Sequence, residues 1–129
     1  MEPLNLSPAM EPMIRVTAMP ADANAYGDIF GGWLLSLMDM GAGLMASRHS
    51  RGRAVTIAMD GVQFLKPVKV GDEVSVYGEL RKVGRTSMTI AIEAWRRDRF
   101  QTEAIKVTEA VFTFVAVDDS GRPRPIVQE

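Results

Sequence analysis

Cysteine is absent from the 129 residues and histidine occurs once, as His49. The first absence excludes disulfides, thiolate-bound metal and a cysteine nucleophile; together they leave a transition-metal site without its usual ligands, so no metal is expected. Neither sign of charge is in excess. Fifteen lysines and arginines against sixteen aspartates and glutamates leave a net charge of -1, too weak a field to attract nucleic acid or an anionic membrane surface. A long hydrophobic run is lacking as well: residues 29–45 are interrupted by Ser36, Asp39 and four glycines, and fall short of the ~20 residues that cross a bilayer. Met1 to Met13 hold three prolines and two glutamates without the basic and apolar regions of a secretory leader. A cytoplasmic protein is the expectation. Gly-x-Ser-x-Gly, P-loop and GxGxxG patterns are also missing, which removes the usual serine-hydrolase and nucleotide fingerprints.

What is present is globular composition, 47% hydrophobic and 24% charged, in a length that fits one domain with a core of its own. Residues 1–12 read as a loose arm and 13–129 as a single domain. Met13 to Met19 alternates as a half-buried strand that Pro20 stops. A small, turn-rich loop then delivers the chain to a helix starting near Asp28 or Gly31 and running to about Ser47, with leucine and methionine on every side, as in a helix buried nearly all round. After Gly52 the pattern is strand: residues 54–65, 73–83, 87–97 and 105–117, separated by the turn signals Lys66-Pro67, Val70-Gly-Asp72, Gly84 and Asp118-Asp-Ser-Gly121. Strands of eleven residues or more exceed the usual five or six, which predicts a sheet curved around something. One helix and one sheet give an α+β fold in which the helix covers a single sheet face, so at least a homodimer is expected.

Asp39 is the carboxylate inside the apolar helix, and an unpaired one there costs several kcal/mol or neutralises. Its neighbours one turn away are Leu35, Ser36, Ala42 and Gly43, a nearly smooth face. Position alone leaves two uses open: bonding to a local hydroxyl such as Ser36, or chemistry on a ligand or second chain lying close. Gly27, Gly31 and Gly32 frame the helix entrance, where unpaired amides and the positive end of the helix dipole suit an oxyanion. A tight turn explains the same glycines. His49, in the basic stretch Arg48-His-Ser-Arg-Gly-Arg53, reads as a surface residue favourable to the helix C-terminus. Nine methionines read as core fillers.

The segments Ala18-Met-Pro-Ala-Asp-Ala-Asn24, Gly27-Asp-Ile-Phe-Gly-Gly-Trp33, Ser36-Leu-Met-Asp39, Phe64-Leu-Lys-Pro67, Val70-Gly-Asp72, Val83-Gly-Arg-Thr-Ser87 and Ala110 to Asp118 occur in this order without a large gap. Together they resemble the hotdog-fold acyl-CoA thioesterases of the YciA-like branch. The resemblance implies a curved antiparallel sheet wrapped on one long central helix, dimers whose sheets join, and commonly a trimer of such dimers. It implies that Asp39 is the base or nucleophile, that Asn24, across the dimer interface from the partner's aspartate, orients the water or the carbonyl, and that backbone amides at Gly31 or Gly32 hold the oxyanion of an acyl-CoA thioester. Lys82, Gly84, Arg85 and Ser87 match the turn that carries the CoA phosphates, although a plain hairpin turn with solvated basic residues has the same composition. CoA enters as part of the substrate, with no further cofactor required. Tyr26 departs from the small polar residue frequent at that loop position, which bears on pocket shape. Two other readings of the same fold are a non-catalytic acyl-CoA binding module and an acyl-CoA hydratase or dehydratase. The second resembles an Asp/His pair, for which His49 is badly placed.

Overall fold

The computed structural model describes residues 10–126; most of the expected arm and the last three residues lie outside them. Strand β1 (Ile14–Thr17) leads through a 3-10 turn (Pro20–Asp22) to helix α1 (Gly31–Ser50), followed by β2 (Ala54–Phe64), β3 (Glu73–Val83), β4 (Ser87–Arg97) and β5 (Ala104–Ala116). The strands form one sheet in the order β1-β3-β4-β5-β2, antiparallel at every pairing. This is the α+β architecture expected from the strand and turn pattern.

Boundaries differ from expectation where local hydrogen bonds intervene. β1 ends at Thr17 rather than Met19, because Ala18 already donates to the Asp72 carbonyl and accepts from the Gly71 amide before the chain turns at Pro20. α1 runs past Ser47 to Ser50, where Arg51 takes a left-handed conformation (φ 57°) and donates its N–H to the Ser47 carbonyl. β5 is displaced by one residue at each end.

The helix lies in the sheet's concave face through Leu34, Leu37, Met38, Ala42 and Ala46, which join Val74, Val76, Ile90, Ile92, Phe112 and Phe114 in the core. Each such large side chain contributes about 1.5–3 kcal/mol on leaving water. Gly41 sets the approach: a Cβ there would sit 3.0 Å from Val76 Cγ1. α1 is not buried nearly all round. Gly32, Ser36, Met40 and Leu44 form an open stripe at i, i+4 spacing, with Met40 52% and Leu44 42% exposed. The strip between the two sheet edges is left uncovered.

Edge strand β2 bends around the helix through irregularities between Thr56 and Ala58 and between Asp60 and Gln63, with Gly61 at φ +60°. It leaves Val55, Ile57 and Met59 exposed, an unpaired apolar edge of the kind that isolated domains avoid. At the other end of the helix, Arg124 fastens three elements. Its guanidinium donates to the carbonyls of Val117 (2.9 Å), Ser50 (3.0 Å) and Arg53 (3.2 Å), and to Ser50 Oγ (3.1 Å). On the sheet's outer face the buried Glu93 carboxylate accepts from Trp95 Nε1 at 2.9 Å and lies 3.6 Å from Lys106 Nζ. Burial pulls the Lys106 pKa down, but the hydrogen bond to Glu109 and the charges of Glu93 and Glu109 outweigh it, and the net direction is up.

Candidate active site

The loop before α1 is folded on the Asn24 side chain. Asn24 Oδ1 accepts the amides of Tyr26 (2.8 Å) and Asp28 (3.2 Å), while the Asn24 amide donates to the Asp28 carbonyl at 2.7 Å. Two backbone donors identify the carboxamide oxygen, so its NH₂ faces away from the loop and has no acceptor among the described residues. Gly27, at φ +84°, makes the turn that this arrangement requires. Asp28 pairs with Lys69 Nζ. Tyr26 projects from the same loop, 88% exposed.

Phe30 caps α1 with backbone only; no side chain bonds the first turn. The amides of Gly31 and Gly32 therefore find no acceptor among the described residues, as the helix geometry leaves them. The Phe64 ring occupies the space beside Gly31: a Cβ on Gly31 would meet Phe64 Cζ at 2.9 Å. A groove of about 400 Å³ opens here, walled by Ile29, Leu34, Phe64, Leu65 and Pro67. Trp33 does not line it; its partly buried side chain packs on the core instead.

Asp39 sits half-buried on the flank of α1 that faces β2, beside the open stripe. Thr56 Oγ1 donates to its Oδ1 at 2.6 Å, and Oδ2 has no partner among the described residues. Ser36, the hydroxyl expected beside it, donates instead to the Trp33 carbonyl at 2.7 Å. The sequence does not single out Thr56; the available signal is a hydroxyl set between the apolar Val55 and Ile57 on a strand whose alternate side chains face the helix. Asp39 is not brought next to Asn24, Gly31 or Gly32 of its own chain. Eight residues separate it from Gly31 in α1, about 12 Å at 1.5 Å per residue.

Lys82, Gly84, Arg85 and Ser87 are brought together at the β3–β4 turn. The Gly84 amide donates to the Ser87 carbonyl at 2.8 Å, and a Cβ at Gly84 would lie 2.8 Å from Ser87 Oγ, which would have to rotate away. Lys82 and Arg85 are exposed, with no carboxylate partner among the described residues. The turn lies at the C-terminal end of α1, as the Arg85 carbonyl accepts from Ile126 and nearby Arg124 binds Ser50. It is thus at the Ser50 end of the helix, opposite Gly31, with Asp39 between the two near the middle of α1. His49 is exposed near that same end, and no group of metal-ligating side chains occurs among the described residues.

One long helix packed against a five-stranded antiparallel sheet is the hotdog architecture, shared with solved hexameric thioesterases. The chain belongs to the thioesterase superfamily, whose family model matches residues 26–102. It is 56% identical to an uncharacterized acyl-CoA thioester hydrolase of Zymomonas mobilis, over 92% of this chain and 79% of that one. With the acyl-CoA thioester hydrolase YciA of Escherichia coli it shares 47% identity over 91% of each. Among solved structures, a hexameric thioesterase of Yersinia pestis superposes with a TM-score of 0.90 at 50% identity, covering 95% of this chain and all of the other. No helix among the described residues is long and apolar enough to cross a membrane.

Proposed function

We propose that the protein hydrolyses acyl-CoA thioesters at sites completed by two chains. The observation that carries this reading is the state of Asp39: one carboxylate oxygen is held by Thr56 and the other is left unengaged beside the uncovered stripe of α1. Since Gly31 stands about 12 Å away along the same helix, the donors for the developing oxyanion come from a partner. The exposed β2 edge and the Met40–Leu44 stripe supply apolar surface for that partner, and the hexameric relatives favour a trimer of dimers.

In this site Asp39 of one protomer takes the proton of an attacking water, or attacks the carbonyl carbon itself to give an anhydride that water then opens. The partner supplies the Asn24 NH₂ group and the Gly31 and Gly32 amides to the carbonyl oxygen as it becomes negative. The C–S bond breaks and the CoA thiolate takes up a proton. Lys82 and Arg85 face the CoA phosphates, with Gly84 and Ser87 shaping the turn and letting backbone come close. Along α1, Ser50, which lies near this turn, is eleven residues from Asp39, about 16 Å at 1.5 Å per residue. No further cofactor is required, and the reaction suits the cytoplasm, where CoA esters are made and used.

A hydratase reading needs an imidazole near the carboxylate, but His49 stands ten residues on, about 15 Å along the axis. Thiol release from an acyl-CoA panel tests the proposal. Wild type turns over at least one ester, and Asp39→Ala loses activity by about 10³-fold or more while keeping its fold. Equal rates for the two would refute it. Tight ester binding by wild type without thiol release would establish a binding module instead.

A further inference from the structure

The turn that carries Lys82 and Arg85 does not hold its own shape. β3 and β4 pair as far as Val83 and Met88, and the Gly84 amide closes the hairpin on the Ser87 carbonyl at 2.8 Å, which leaves Arg85 and Thr86 as its tip. Two-residue tips favour positive φ at one or both central residues, because such turns match the twist of the strands. Arg51 is the single non-glycine residue with positive φ among the described residues, so neither Arg85 nor Thr86 meets that preference. A tip of this kind relies on bonds from outside the hairpin. Ala116, the last residue of β5, donates its amide to the Thr86 carbonyl at 2.8 Å, and Ile126 donates to the Arg85 carbonyl at 2.8 Å. The chain doubles back between them, and Arg124 donates to the Ala116 carbonyl at 2.9 Å. Pro123 and Pro125 have no amide to give, so the donors of this segment alternate, Arg124 and then Ile126. The Ile126 side chain is buried in the core, while Arg85 stays exposed.

We propose that Ile126 positions Arg85 for the CoA phosphates, with residues 124–126 acting as a brace on the tip of the turn. The assignment rests on the hydrolase reading and goes beyond it by naming what fixes the phosphate-binding group. A guanidinium grips a phosphate through two parallel bonds only within a narrow range of geometry, and a tip free to move loses entropy each time it is ordered on a ligand. The buried Ile126 side chain anchors the amide that holds the Arg85 carbonyl, so the backbone under the guanidinium is fixed before substrate arrives. Ile126 touches neither substrate nor reacting atoms and acts through Arg85 alone.

The test compares KM and kcat for the best-used acyl group of the panel carried on CoA and on pantetheine, which lacks the phosphates, read by thiol release. Wild type should have the lower KM for the CoA ester. Ile126→Pro deletes the donor and keeps an apolar side chain. It should raise KM for the CoA ester about tenfold, the order of one lost contact to a charged group, with kcat and both constants for the pantetheine ester unchanged. Ile126→Val keeps the amide and most of the anchor and should behave as wild type. In an Arg85→Ala background Ile126→Pro should add nothing, since the two act through one contact. A further rise in KM there overturns the assignment, as does a rise shared by both esters or an unchanged KM in Ile126→Pro. Should that variant not fold, Ile126→Ala, which keeps the amide and loses the anchor, decides by the same comparison. A wild type with equal KM for the two esters removes the phosphate contact, and the brace with it, while leaving hydrolysis standing. One that releases thiol from neither ester removes the hydrolase reading itself, and the role of Ile126 falls with it.

Discussion

Thr56 Oγ1 donates to Asp39 Oδ1 at 2.6 Å across the gap between β2 and α1. The bond orients the carboxylate and directs its remaining lone pairs outward, which makes Thr56 a positioning residue for the proposed chemistry. A hydrogen bond to a charged group contributes about 1.5–3 kcal/mol, so Thr56→Val should lower kcat by roughly 10- to 100-fold. KM should change little, because the hydroxyl is occupied by Asp39 rather than by substrate. Thr56→Ser keeps the donor and should restore most of the rate. Equal losses in both variants would mean that the strand's packing, not the hydroxyl, matters.

The helix-axis separation of Asp39 from Gly31 predicts complementation between two inactive chains. Asp39→Asn and Asn24→Ala should each be inactive alone. A mixed dimer of the two retains one site built from an intact Asp39 and an intact Asn24. Random pairing makes half the dimers mixed with one good site of two, so co-expression should restore about a quarter of wild-type turnover. Activity no higher than either parent's would show that the two residues do not meet across an interface.

Much of this fold is legible in the sequence for identifiable reasons. β3 and β4 begin and end where expected, because Gly71, at φ +94°, and Gly84 punctuate the chain before β3 and between β3 and β4. The burial of α1 is not legible, since leucine and methionine at every angle do not say which side the sheet will cover. Only the fold shows Met40 and Leu44 left outside. Asp39 can be picked out as a lone carboxylate in an apolar helix and Asn24 through the family resemblance alone, but Thr56 cannot. Its contact with Asp39 spans seventeen residues and depends on how far β2 bends, which the bulges after Thr56 and Asp60 decide. Nor does the sequence reveal that the Asn24 oxygen is consumed by its own loop, which leaves its NH₂ without an acceptor among the described residues.

Stability at the far end of the helix depends on Arg124. Its guanidinium ties the last carbonyl of α1 to the start of β2 and the end of β5, and truncation takes this donor from the part-buried Ser50 and Val117 carbonyls, while the Arg53 carbonyl keeps the Val117 amide. Arg124→Ala should cost about 2 kcal/mol, allowing for partial replacement by water. Gly52→Ala should reproduce much of that loss by a different route, because its Cβ would fall 2.6 Å from Arg124 Nη2 and displace it. Chemical denaturation of both single variants and the double variant checks this. The double should be little worse than Arg124→Ala alone, since the residues act through one contact; fully additive losses would contradict the shared clamp.

Asp118 makes one contribution to stability depend on pH. Its Oδ1 accepts from the Ser120 hydroxyl (2.7 Å) and from the amides of Ser120 (2.9 Å) and Arg122 (3.0 Å). The Ser120 hydroxyl first, and then the Arg122 amide, hold the carboxyl below its ordinary value of 3.8. A group whose pKa is lower folded than unfolded binds more protons when unfolded, so its stabilisation is present above the unfolded value. As pH falls from 3.8 through the lower folded value, the contribution is lost. Asp118→Asn should therefore be less stable than wild type near neutral pH, with the gap narrowing in that acid window. Urea unfolding of the pair at pH 7, 4 and 3 measures it. A gap independent of pH would assign the turn's stability to its shape rather than to the carboxylate's charge.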